Sequence, residues 1–150
     1  MVRYEGLFFE GKVAALIHLL DKPSLEFVND KLHCTFKYLP NDEEIFDELV
    51  GKSFDVYIVG YGNDGKNSGF SIELPKELQK YYINYNGEGE LKTPHITVSL
   101  SRGAKAVDTC NLEFKPLKNP IKITGKFGYW LRKGPKEFIS YQPYIKKNKR

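Results

Sequence analysis

His33-Cys34-Thr35-Phe36 and His95-Ile96-Thr97-Val98 are two copies of one pattern: histidine, apolar residue, threonine, apolar residue. Each copy lies in a run with β character, residues 31–39 and 95–100. Side chains alternate along a strand, so His33 and Thr35 share one face while Cys34 and Phe36 share the other. His95 with Thr97, and Ile96 with Val98, divide in the same way. Each motif therefore sets an imidazole and a hydroxyl about 7 Å apart on one strand surface, with apolar side chains turned towards a core.

Accident is a poor explanation of the doubling. Twelve of the 150 residues are Ser or Thr and 41% are apolar. A given histidine then meets the pattern with a chance of about 0.01, and two of three do so on the order of once in two thousand chains. The third histidine, His18, precedes Leu19, Leu20 and Asp21 and does not match.

The surrounding chain predicts an α+β fold in which strands outnumber helices and pair mostly as hairpins. Residues 2–9 read as a first strand. Residues 12–20 read as a helix, with Val13, Leu16, Ile17 and Leu20 at helical spacing and Pro23 just beyond. An acidic helix is expected over 42–50, ending at Gly51. Residues 54–61 and 68–74 form a hairpin about Gly62-Asn63-Asp64-Gly65, whose residue types tolerate the positive φ of a tight turn. One or two helical turns follow at 75–82, then a Gly- and Asn-rich loop at 84–90. Beyond the second motif, 121–131 and 138–144 are the clearest β runs.

At 150 residues, 17.3 kDa and 28% charged side chains, the chain has the size and balance of one domain. Residues 1–144 are assigned to it. Residues 145–150 form a basic tail with four cations, read either as a solvated end or as a weak attraction for a polyanion. Aromatic residues make up 14%, which suits a pleated sheet. Cys34 and Cys110 stand far apart, so neither a disulfide scaffold nor a thiolate zinc site is expected. No apolar run reaches the length of a membrane span, and no hydrophobic leader follows Met1. A cytoplasmic, reducing setting, no membrane association and a monomeric state are the expectations.

Histidine titrates near neutrality, so one imidazole can accept a proton while another gives one. A phosphodiester needs that division: a nucleophile deprotonated on one side, a leaving oxygen protonated on the other. Threonine hydroxyls can hold the non-bridging phosphate oxygens as charge builds on them. Two His and two Thr lack the carboxylates of a magnesium or manganese site, and no spacing supplies the further ligand that zinc needs. No cofactor is expected, and the partner is an RNA or nucleotide substrate.

The two motifs, together with Pro94 before the second, resemble the signature of the 2H phosphoesterase superfamily, named for two H-x-[ST]-x motifs. Its members include RNA 2′,3′-cyclic phosphodiesterases related to the bacterial 2′-5′ RNA ligase, 2′-5′ oligoadenylate phosphodiesterases, and phage enzymes that destroy cyclic-nucleotide immune signals. The resemblance covers the arrangement of the chain from the first strand to about Leu131. It implies a bilobal fold in which two antiparallel sheets face each other across a cleft, each carrying one motif. It also implies that His33 and His95 act as general base and general acid while Thr35 and Thr97 grip the phosphate. The short interval between the motifs looks closer to the compact branch, which includes the phage enzymes.

Further candidates surround this quartet. Lys37 continues the His33/Thr35 face and is the best placed of the nearby cations, with Arg102 and Lys105 behind it. Tyr61 and Lys66 flank a turn that reads either as a ligand-facing hairpin, with Lys66 on a phosphate and Tyr61 on a base, or as an exposed turn. Tyr129 and Trp130 end a strand, and either stacks on a nucleobase or fills the core. A binding module that has lost turnover is the second functional reading, and RNA end-joining a minor third.

Overall fold

The strand Lys115–Lys133 organises the whole molecule, because it is nineteen residues long and pairs with different neighbours along its length. The computed structural model describes residues 1–83 and 93–148. In chain order its elements are β1 (Val2–Phe8), α1 (Gly11–Leu20), β2 (Phe27–Val28), β3 (His33–Tyr38), β4 (Ser53–Asn63), β5 (Asn67–Glu73), α2 (Lys76–Ile83), β6 (His95–Leu100), β7 (Lys115–Lys133), β8 (Lys136–Ser140) and α3 (Ile145–Asn148). Two 3-10 segments, Asp42–Glu44 and Ala106–Asn111, complete the set.

The early part of β7, Lys115 to Lys126, pairs with β4; the later part, Lys126 to Leu131, pairs with β1. The strand order is β2-β6-β5-β4-β7-β1-β3, with β8 added on β7 and every pairing antiparallel. The expected α+β class is therefore present in its coarse form: one large antiparallel sheet with few helices. Hydrogen bonding joins all eight strands, so the two lobes implied by the resemblance are not separate sheets here; β7 is the strand they would share.

The sheet curls. Strands β3 and β6 stand near opposite ends of the strand order, yet their backbones approach each other, and the His95 backbone amide faces the Cys34 thiol. The alternation within the motifs explains the approach. Cys34, Phe36, Ile96 and Val98 are fully buried and belong to one core with Leu7, Phe70, Phe127 and Tyr129. Burying each such side chain stabilises the fold by about 1.5–3 kcal/mol, so the two motif strands are drawn over the same core.

The expected helix at 42–50 is not formed beyond the 3-10 turn Asp42–Glu44. Asn41 and Glu44 make a reciprocal capping box, which starts the turn. The next amides and carboxylates then bond to distant strands. Phe46 N–H donates to Glu5 Oε1 at 3.1 Å, and Asp47 accepts the Tyr129 hydroxyl at 2.7 Å. Asp47 also accepts the backbone N–H groups of Tyr144, Ile145 and Lys146, so the start of the basic tail is a docked helical turn. Of the late β run at 138–144, only the part to Ser140 lies in β8. The loop expected at 84–90 and the last two residues of the tail lie outside the described residues. No described helix is long and apolar enough to cross a membrane.

Candidate active site

His33 and Thr35 from β3, and His95 and Thr97 from β6, line one cavity of about 340 Å³. The same cavity is walled by Phe27 and Val28 of β2, by Asn29, Asp30, Tyr38 and Leu100, and by Ala106 and Val107. The two tetrapeptides, far apart in the chain, thus converge on one space as alternation and a shared core require.

Both histidines are oriented in the same way. His33 Nδ1 lies 2.7 Å from the Lys31 carbonyl, and His95 Nδ1 lies 2.9 Å from the Thr93 carbonyl, each two residues back. A carbonyl can only accept, so in both rings Nδ1–H donates and the neutral ring keeps its Nε2 lone pair for chemistry. Burial pushes the His33 ring down to about 4, and nearby His95 adds to this while the Lys31 carbonyl opposes it. Burial also lowers His95, against the Thr93 carbonyl. Two neutral imidazoles therefore face the cleft at neutral pH, and an anion between them would favour the protonated form of one.

The surroundings of the two motifs differ. The His33 ring packs at 4.6 Å from Tyr4 and 5.8 Å from Phe8. Tyr4 in turn stacks on Trp130 at 5.9 Å. Further along β6 from His95 the contacts are polar: Thr97 Oγ1 is hydrogen-bonded to Thr109 at 2.9 Å, and Ser99 Oγ donates to Asp21 at 2.7 Å.

Asn29 links the two. Its Oδ1 accepts the Lys31 N–H at 3.2 Å, and its Nδ2 donates to the Thr97 carbonyl at 3.0 Å. One side chain thus ties Lys31, the residue whose carbonyl orients His33, to the backbone of the second motif. Asn29, Thr109 and Tyr4 carry no motif of their own, and nothing in the sequence singles them out.

Most of the secondary candidates stand away from the cavity. Lys37 does continue the motif face, but its ammonium lies 3.2 Å from Glu44. Tyr61 donates its hydroxyl to Asp21 at 2.6 Å and packs on Phe70, and Lys66 is exposed at the β4–β5 turn. Tyr129 is fully buried, T-shaped against Phe127, so it is a core residue and not a stacking platform. Trp130 is half-buried one layer behind His33, backing Tyr4. Arg102 pairs with Glu26 and lies over the Phe27 ring at the cavity wall; Lys105 offers its carbonyl to Asn67. Among the described residues, no three His, Cys, Asp or Glu side chains converge as a metal site.

Compared with known proteins, the chain matches no family model and no curated sequence.

Proposed function

We propose that the chain is a two-histidine phosphodiesterase acting on a 2′,3′-cyclic phosphate or a related 2′–5′ or cyclic-oligonucleotide linkage, with no metal in the chemistry. The observation that carries this reading is the cavity shared by His33, Thr35, His95 and Thr97, with both rings held through Nδ1 by a carbonyl two residues back. In the finer form of the reading, the halves of the sheet on either side of β7 act as two lobes flanking the cleft.

One imidazole takes a proton from water as the water oxygen bonds to phosphorus. The bond from phosphorus to the leaving oxygen breaks, and the other imidazolium protonates that oxygen. A cyclic phosphate then leaves as a monoester with one free hydroxyl. Thr35 and Thr97 donate to the non-bridging oxygens, whose charge grows in the transition state. Phe27, Val28, Tyr38 and Val107 are 48%, 53%, 49% and 55% exposed around the cavity, giving flat apolar surface for a nucleobase beside the phosphate. A cytoplasmic monomer acting on RNA or a nucleotide fits the same reading.

His33→Ala and His95→Ala should each lower turnover by about 10³-fold or more with the far-UV spectrum unchanged. EDTA should leave the wild-type rate unaltered. Full activity in either variant excludes the pair as acid and base. Tight binding of a cyclic phosphate without product would instead favour a nucleotide-binding module.

A further inference from the structure

Among the described residues, Thr97 has a structured support that Thr35 lacks. Its Oγ1 lies 2.9 Å from Thr109 Oγ1 and 3.3 Å from the Ala106 carbonyl. Thr109 is fully buried in the 3-10 segment Ala106–Asn111. Asn67, itself 3% exposed, donates Nδ2 to Thr109 Oγ1 at 3.0 Å and to the Lys105 carbonyl at 2.8 Å. Gly69 faces Thr97 across the β5–β6 ladder, and a Cβ there would sit 2.7 Å from Thr109 Cγ2. The glycine leaves the space through which Thr109 reaches the motif strand. Among the described residues Thr35 makes no side-chain hydrogen bond to protein.

Resting on the phosphodiesterase reading, we propose that Thr109, fixed by Asn67, is a positioning residue that holds the Thr97 hydroxyl in one rotamer towards the phosphate. The Asn67 amide can only donate, so Thr109 keeps its own hydroxyl proton. In the structure the Thr97 hydroxyl donates to Thr109 Oγ1 or to the Ala106 carbonyl. When a phosphate enters, the Thr97 hydroxyl turns to donate to a non-bridging oxygen, and the Thr109 hydroxyl turns to donate to Thr97 Oγ1. The chain of bonds polarises the Thr97 hydroxyl as a donor while fixing its position.

The test compares Thr109→Val with Thr109→Ser in two measurements. Three-bond couplings to the Thr97 methyl carbon report its χ1 without any substrate. They should show one rotamer in the wild type and in Thr109→Ser, and averaging in Thr109→Val. With whichever diester the wild type cleaves fastest, Thr109→Val should lose about tenfold in kcat, the scale of one hydrogen bond, with KM within about twofold. Thr109→Ser should keep kcat within about twofold, and Thr109→Val should cost nothing further in a Thr97→Val background. Thr109→Ala replaces the valine variant if valine does not fold. Unchanged couplings, or a serine variant as impaired as the valine one, would overturn the proposal. A wild type that cleaves no diester defeats the phosphodiesterase reading instead, and the couplings alone then decide whether Thr109 holds Thr97.

Discussion

The β3 and β6 motifs are the same four-residue pattern set in two different environments. On β3, His33 lies against the rings of Tyr4 and Phe8, and Thr35 lines the cavity with no side-chain hydrogen bond among the described residues. On β6, Thr97 is backed by Thr109 and Asn67, and Ser99 continues the polar row to a buried Asp21. The histidines are nevertheless held identically, each by the carbonyl two residues back. Orienting each imidazole is thus local to its own motif. Support of the two threonine hydroxyls is unequal, and under the proposed function the second strand would supply the firmer phosphate grip.

That comparison breaks first at the histidines. If both rings serve one proton relay, a double His33→Ala/His95→Ala variant should fall no more than about tenfold below the worse single variant. Losses that multiply would mean that the two motifs act independently. Next come the threonines. Thr97→Val should cost about a hundredfold in kcat, as removal of a preorganised donor does, and Thr35→Val about tenfold. The reverse order would place the main phosphate grip on β3.

A smaller effect is expected at the link between the strands. Asn29→Ala removes the tie from Lys31 to Thr97 and should lower kcat about tenfold and Tm by about 3 °C, the scale of one or so lost hydrogen bonds. An unchanged rate with lowered Tm would make Asn29 purely structural.

The smallest effect concerns pH. Glu5 is fully buried, its Oε2 has no partner among the described residues, and burial pushes it up to about 8 despite the Phe46 N–H. The folded state therefore holds a proton that the unfolded state has lost above the ordinary value of 4.5, so this group's contribution weakens as pH rises from there to about 8. The two histidines act in the opposite sense. Their folded values lie below 6.5, so their contribution is present above that pH and is lost on acidification. Glu5→Gln should remove the Glu5-dependent fall in Tm between about pH 4.5 and 8 and leave the slope above pH 8 unchanged. An unaltered slope between those values would show that Glu5 does not carry it.

The quartet was legible in the sequence because period-two alternation is local: a threonine two residues after a histidine shares its face whatever the fold. The hairpin was legible for the same reason, since Asp64 accepts the Lys66 and Asn67 amides and Gly65 takes a positive φ. What failed to show depends on distant partners. The helix expected at 42–50 gives way because Glu5, Tyr129 and the start of the tail compete for its polar groups. Lys37 lies on the right face but pairs with Glu44, which only the turn after β3 brings near. Tyr129 and Trp130 are neighbours on opposite faces, and composition alone does not say which one enters the core. Asn29 and Thr109 act entirely through contacts made by folding.

One measurement reaches the central claim directly. The protein is incubated in EDTA and ¹⁸O-labelled water with nucleoside 2′,3′-cyclic phosphates, 2′-5′ oligoadenylates and cyclic di- and trinucleotides, and the products are weighed. Cleavage of at least one diester class is expected, with one labelled oxygen per bond cut and loss of product in His33→Ala and His95→Ala. No product from any of them, or cleavage that needs a divalent metal or survives both substitutions, would contradict that claim.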